Sequence, residues 1–222
     1  MVRVFIQARM GSRRFPGKVL APFQGKAIIA RLIDAAAEAV ARERITVATS
    51  ATAADDPLAC YVRELGVSVF RGPLENVVER FQGCLRANPC DWFFRLCADS
   101  PLLDPSLLSA AMRYQDGKDI DLVTNVFPRT FPKGQSVELI RAATFAAIDA
   151  SRLTPQQKEH ATQIYYYHPE IFNIVNIESA EPKLAETSYA VDTLEDLIHL
   201  EHLCSQELFP PKVLMQEVKR VA

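Results

Sequence analysis

The sequence predicts an α/β protein with a mostly parallel central sheet flanked by helices. Three observations predict it. Short β-branched apolar runs alternate with amphipathic runs through the first half of the chain, the pattern of strand–helix–strand units. The apolar runs stop in loops of glycine, proline, hydroxyls or charge. The run Ile28, Ile29, Leu32, Ile33, Ala36, Val40 has the spacing of a helix that lays one stripe on a sheet.

In order, residues 2–7 (VRVFIQ) read as a strand and 26–42 as the first helix. Residues 44–50 (RITVATS) are the second strand. Asp55, Asp56 and Pro57 supply helix-start chemistry for 55–65. Residues 67–70 are a short strand, 74–87 a helix and 91–98 a strand. Asp104 then caps a helix reaching about residue 114, and 121–125 is a strand. From about 126 to 189 the alternation breaks, with a Pro-rich loop, a short strand at 136–140 (SVELI), helices over 141–150 and 155–167, and a strand at 171–177. This stretch reads as an inserted lobe of a single domain spanning 1–222. The pattern resumes with a strand at 188–191 and a helix at 194–204.

At 222 residues the chain suits one large domain, and its net charge of −2 gives no global bias toward nucleic acid or anionic membrane. The longest apolar stretches are broken by charge at helical spacing, so no membrane span is expected. The first apolar run is too short for a signal peptide. Cys60, Cys84, Cys90, Cys97 and Cys204 form no CxxC pair, which fits reduced thiols in a cytoplasmic protein.

Ligands of parallel sheets bind where the carboxyl ends of strands meet their loops. The loops after Gln7, Thr49, Phe70 and Ala98 are therefore expected to converge on one crevice. The first is QARMGSRRFPGK, residues 7–18. Gly11 and Gly17 let backbone N–H groups approach an anion, and the four cations Arg9, Arg13, Arg14 and Lys18 supply charge. The glycine spacing and Val19 after Lys18 exclude a Walker A loop, and GxGxxG is absent. The plain alternative is a solvated basic turn. Asp99 in RLCADSPLLDP and Asp192 in YAVDTLEDL each end a strand. Either alone could be turn or cap chemistry, whereas together, beside a basic loop, they make a divalent-cation and polyphosphate site. Thr49, Ser50 and Arg71 suit a base, sugar or phosphate, or ordinary loop chemistry. His160 reads as structural, exposed or substrate-facing. Asp119-Ile120-Asp121 matches the short DxD pattern of nucleotide-sugar glycosyltransferases and supplies a rival reading. A binding module for an anionic polymer is a third.

The ordered motifs resemble the cytidylyltransferases that activate acidic sugars, the CMP-Kdo and CMP-sialic acid synthetases, and more closely the SpsF-type branch of spore-coat polysaccharide biosynthesis. The resemblance rests on residues 6–20, VATS at 47–50 with DDPL at 55–58, Arg71-Gly72 and VERF at 78–81. It continues through DSPL at 99–102, EHAT at 159–162 and VDTLEDL at 191–197. It implies a Rossmann-like nucleotidyltransferase that uses Mg²⁺ and CTP and dimerises through the inserted lobe. Its partners would be a small anionic acceptor and a second copy, with neither nucleic acid nor membrane. The resemblance puts Ala8, Arg9, Gly11, Ser12, Arg14, Lys18, Ser50 and Arg71 at the nucleotide, with Arg9, Lys18 and Asp99 catalytic. Asp99 and Asp192 would hold the metal, and Asn125, Glu138 and His160 would face the acceptor. Lys158, Arg13 and Ala161 depart from the family's usual residues; no role follows for Arg13.

Overall fold

The structure is a computed structural model that describes residues 1–117, 119–206, 215 and 219–221. Strand β1 (Val2–Gln7) leads through the basic loop into a hairpin, β2 (Pro22–Phe23) and β3 (Lys26–Ala27). The chain then alternates through α1 (Ile28–Ala39), β4 (Ile45–Ser50), α2 (Asp56–Glu64), β5 (Ser68–Gly72), α3 (Val77–Ala87) and β6 (Trp92–Cys97). After α4 (Pro105–Met112) come β7 (Leu122–Thr124), β8 (Glu138–Arg141), α5 (Ala142–Ala146), α6 (Pro155–Glu159) and α7 (Gln163–Tyr167). β9 (Ile174–Asn176), α8 (Leu194–Ser205) and β10 (Lys219–Val221) complete the order.

The central sheet runs β10-β9-β7-β8-β6-β1-β4-β5. β1 pairs in parallel with both β4 and β6, so the loops that follow β1 and β6 part at a topological switch point. β8 lies antiparallel between β6 and β7, and β10 antiparallel to β9. Thus residues 126–189 contribute two strands, β8 and β9, to the main sheet.

Strand alternation divides the core. Val4 and Ile6 pack with Leu32, Ile33, Leu107 and Leu108 on one face. Phe5 and Phe93 meet Phe81 and Phe145 on the other, with Phe5–Phe93 and Phe93–Phe145 centroids 5.0 and 5.2 Å apart. A third cluster of Phe23, Ile28, Tyr189, Val191, Leu197 and Leu200 docks α8 beside the hairpin. No helix among the described residues is long and apolar enough to cross a membrane.

Four local expectations are corrected. The first helix begins at Ile28, because Gln24 (φ 47°) and Gly25 (φ 76°) turn a hairpin that takes Lys26 and Ala27. The expected helix over 155–167 is two pieces, broken where His160 adopts φ −104°, ψ 79°. That over 141–150 shortens to α5. Residues 188–191 form no strand, only a bridge from Ser188 to Lys133.

Candidate active site

The site is built from the loop that leaves β1. Gly17 sits in the left-handed region at φ 75°, which glycine adopts at least cost. Its N–H and that of Ser12 both donate to the Met10 carbonyl at 2.9 Å, closing the loop on itself. The fold is fixed from outside by Asp55. Its Oδ1 accepts from the Met10 N–H at 2.7 Å, and its Oδ2 accepts from Thr49 Oγ1, Ser50 N–H and Ser50 Oγ. Burial pushes this carboxyl up, and the Met10, Ser50 and Thr49 hydrogen bonds outweigh it, leaving the group below the usual carboxylate range.

The turn after Gly17 points Lys18 inward. Its Nζ donates to the Val191 carbonyl at 2.7 Å, to Asp192 Oδ1 at 3.0 Å and to Asp99 Oδ2 at 3.4 Å. The chain joins there too, since the Val191 N–H donates to the Asp99 carbonyl at 2.8 Å. Arg14 adds an ion pair to Asp192 Oδ2 at 2.8 Å. Burial pushes Asp192 up, but the hydrogen bond and charge of Lys18, then Arg14, hold it below the usual range. Among the described residues no group of three or more His, Cys, Asp or Glu gathers as a metal cluster. Asp99 and Asp192 nevertheless converge on one ammonium. Two carboxylates beside substrate phosphates are the donor set that a hard divalent cation takes.

These groups line a cavity of about 620 Å³ at the carboxyl ends of β1 and β6. Ala8, Arg9, Gly11, Ser12, Arg14, Lys18, Asp99, His160 and Asp192 all lie on its wall, and so does Arg13. His160 reaches it because the helix breaks at that residue. Ser50 and Arg71 do not line it. Ser50 is buried on Asp55, while Arg71 donates to the Ser50 and Thr52 carbonyls and pairs with Asp56. Asn125 is buried, bonded to the Gln135 carbonyl and the Val137 N–H. Glu138 stands behind the wall, paired with Arg95. Asp121 of the DxD triplet sits at the start of β7, the opposite end from the cavity. It accepts from Thr144 Oγ1 at 2.7 Å and the Asn173 N–H at 2.9 Å, so it works as a cross-link.

Sequence reasoning missed Asp55, Arg95 and Glu159. A lone arginine inside an apolar strand, as in WFFRLC, is a signal for the second. Glu159 Oε1 pairs with Arg9 at 2.9 Å across the cavity, between residues that sequence distance hides.

A family described as Cytidylyltransferase matches residues 3–214. The spore coat polysaccharide biosynthesis protein SpsF of Bacillus subtilis is 30% identical over 223 residues, covering 96% of this chain and 90% of that protein. A cytidylyltransferase from Leptospira borgpetersenii serovar Hardjo-bovis superposes with a TM-score of 0.87 at 28% identity, over 92% of this chain and 87% of that one. CMP:2-keto-3-deoxy-manno-octonic acid synthetase, solved with CTP, shares the fold at a TM-score of 0.71 and 21% identity, over 93% and 99%.

Proposed function

This chain belongs to the cytidylyltransferase family, and we propose that it transfers CMP from CTP to an acidic sugar in surface polysaccharide biosynthesis, releasing pyrophosphate. The observation that carries the reading is the meeting of Lys18, Asp99 and Asp192 at the mouth of β1 and β6, under Arg9 and Arg14. A basic loop with paired carboxylates opposite it suits a triphosphate and a divalent cation better than either alone.

An acceptor hydroxyl attacks the α-phosphorus and gives up its proton to solvent; the new O–P bond forms as the α–β bridge breaks and pyrophosphate leaves in line. Positioning and charge neutralisation carry such a reaction. Arg9, Arg14 and Lys18 offset charge on the leaving pyrophosphate, and the Gly11 backbone N–H approaches its oxygens. Asp99 and Asp192 would hold Mg²⁺, which neutralises phosphate oxygens when bound. Ser50 and Arg71 shape the nucleotide side through the loop they tie, and Asn125, Glu138 and His160 serve the acceptor side. The protein acts as a homodimer, its contact drawn from residues 126–189, where Tyr167 and Ile171 are exposed; sedimentation tests this.

The deciding experiment incubates the protein with Mg²⁺ and each of the four nucleoside triphosphates against acidic sugars and sugar phosphates, and measures pyrophosphate. Magnesium-stimulated release from CTP alone supports the proposal. Indifference to free CTP with turnover of a preformed nucleotide sugar overturns it in favour of a glycosyltransferase.

A further inference from the structure

Arg95 is the only charged residue in β6, and its side chain is 13% exposed. It lines the cavity with Gln7 and Cys97, further down β6 than Asp99 and on the side that leads to β8. Gln7 Oε1 accepts from its Nε at 3.2 Å and its Nη2 at 2.8 Å, and Glu138 Oε2 accepts from its Nη1 at 2.8 Å. Glu138 is held in turn by the Tyr166 hydroxyl at 2.6 Å, which lies 3.1 Å from Thr124 Oγ1. Residues of β1, β8, α7 and β7 thus fix one guanidinium in place. Each terminal nitrogen of arginine carries two N–H groups. The bonds above use one apiece, and the other two have no partner among the described residues.

Such rigidity is needed to receive a planar oxyanion on two parallel bonds. A carboxylate is a planar oxyanion of this kind, and its two oxygens match the two remaining N–H groups. The triphosphate already has Arg9, Arg14 and Lys18 at the mouth.

Building on the transfer reading above, we propose that Arg95, clamped by Gln7 and Glu138, is the group that reads the carboxylate of the acceptor. Lysine at this position keeps the charge and loses the fork.

Wild-type protein and R95K are titrated calorimetrically with CTP and Mg²⁺. They are then titrated with 2-keto-3-deoxy-manno-octonic acid, N-acetylneuraminic acid, glucuronic acid and glucose 1-phosphate, and pyrophosphate release gives each KM. Wild type should bind at least one of the acids. R95K should weaken that acid roughly 10- to 100-fold while leaving CTP affinity within about threefold, as expected for trading a bidentate fork for a point charge. Acid affinity unchanged in R95K, or CTP affinity falling as far as the acid's, overturns the proposal. So does wild-type protein that binds CTP and none of the acids. Wild-type protein that binds no CTP defeats the transfer reading itself, a separate result. Circular dichroism checks folding, and R95M/E138Q, which removes both charges together, carries the same comparison if R95K does not fold.

Discussion

Replacing Lys18 by methionine keeps the side chain's length and apolar stem and removes only the ammonium. Three acceptors lose their donor, namely the Val191 carbonyl, Asp192 and Asp99. Breaking a fully buried pair costs about 3–5 kcal/mol, whereas an exposed pair contributes about 0–1. Here the ammonium side chain is 11% exposed but Asp99 is 29% and Asp192 39% exposed, and Arg14 still holds Asp192. Solvent screening of the two carboxylates sets the stability loss near the middle, about 2 kcal/mol, or roughly 4–8 °C in Tm for a chain of this size. Transition-state stabilisation suffers more, because a preorganised donor aimed at developing charge contributes about 3–4 kcal/mol. Lys18→Met should therefore fold, melt a few degrees early and release pyrophosphate from CTP 100- to 1000-fold more slowly. The assays are pyrophosphate release at saturating CTP and thermal denaturation. Wild-type turnover by the variant would refute the placement of Lys18 on the triphosphate. An unfolded variant would refute the claim that this cation serves chemistry more than the fold.

Asp55→Asn leaves a buried amide where a carboxylate accepted from Met10, Thr49 and Ser50, and should cost about 2–3 kcal/mol. CTP KM should rise with it, since the Met10 tether slackens; chemical denaturation and steady-state kinetics read both. Asp55 and Asp192 are both held below the unfolded aspartate value of about 3.9. Their contribution to stability is full above that value and is lost as pH falls through their lower folded values. Acid unfolding of the wild type should accordingly be steep below about pH 4, and shallower in Asp55→Asn. Gly134→Ala should lower kcat/KM from a distance. Gly134 has φ +88°, and a Cβ there would lie 2.6 Å from the Tyr189 carbonyl carbon and 2.8 Å from the Ala190 nitrogen. The backbone that carries Val191 and Asp192 must shift, and a crystal structure or the activity at equal fold content shows whether it does. Iodoacetamide at pH 8 should label exposed Cys60 and spare Cys97 by intact mass, because burial pushes the Cys97 thiol up to about 11 against the opposing charge of Arg95.

The sheet was legible wherever a local pattern determines structure. β1, β4 and β6 are apolar runs cut off by charge or hydroxyls, and each lies within a residue or so of its expected bounds. The hairpin at β2 and β3 escaped because its turn is Gln-Gly, where asparagine or aspartate usually marks the left-handed position. Periodicity could not find the break at His160, since QQKEHATQIYYY holds helical spacing across it. Nor could it insert β8 between β6 and β7, because antiparallel insertion depends on pairing between strands distant in sequence. The loop cations were legible as a cluster. Asp55 reads as a helix start, since nothing local reveals that its acceptors face Met10 across the fold.

The same contrast explains how Asp192 comes to the site. The sequence suggests a strand at 188–191, which would place Asp192 by a ladder of its own. The structure uses fewer bonds. Tyr189 donates its N–H to the Lys133 carbonyl at 2.7 Å, and Val191 donates to the Asp99 carbonyl at 2.8 Å. Lys18 then closes the contact from the other side through the Val191 carbonyl. The two carboxylates are thus joined backbone to backbone as well as through one ammonium. The Val191 bond holds the backbone next to Asp192 against the end of β6. The segment that carries Val191 and Asp192 is therefore built into the cavity wall rather than laid against it. Changes in its backbone should register in turnover before they register in folding.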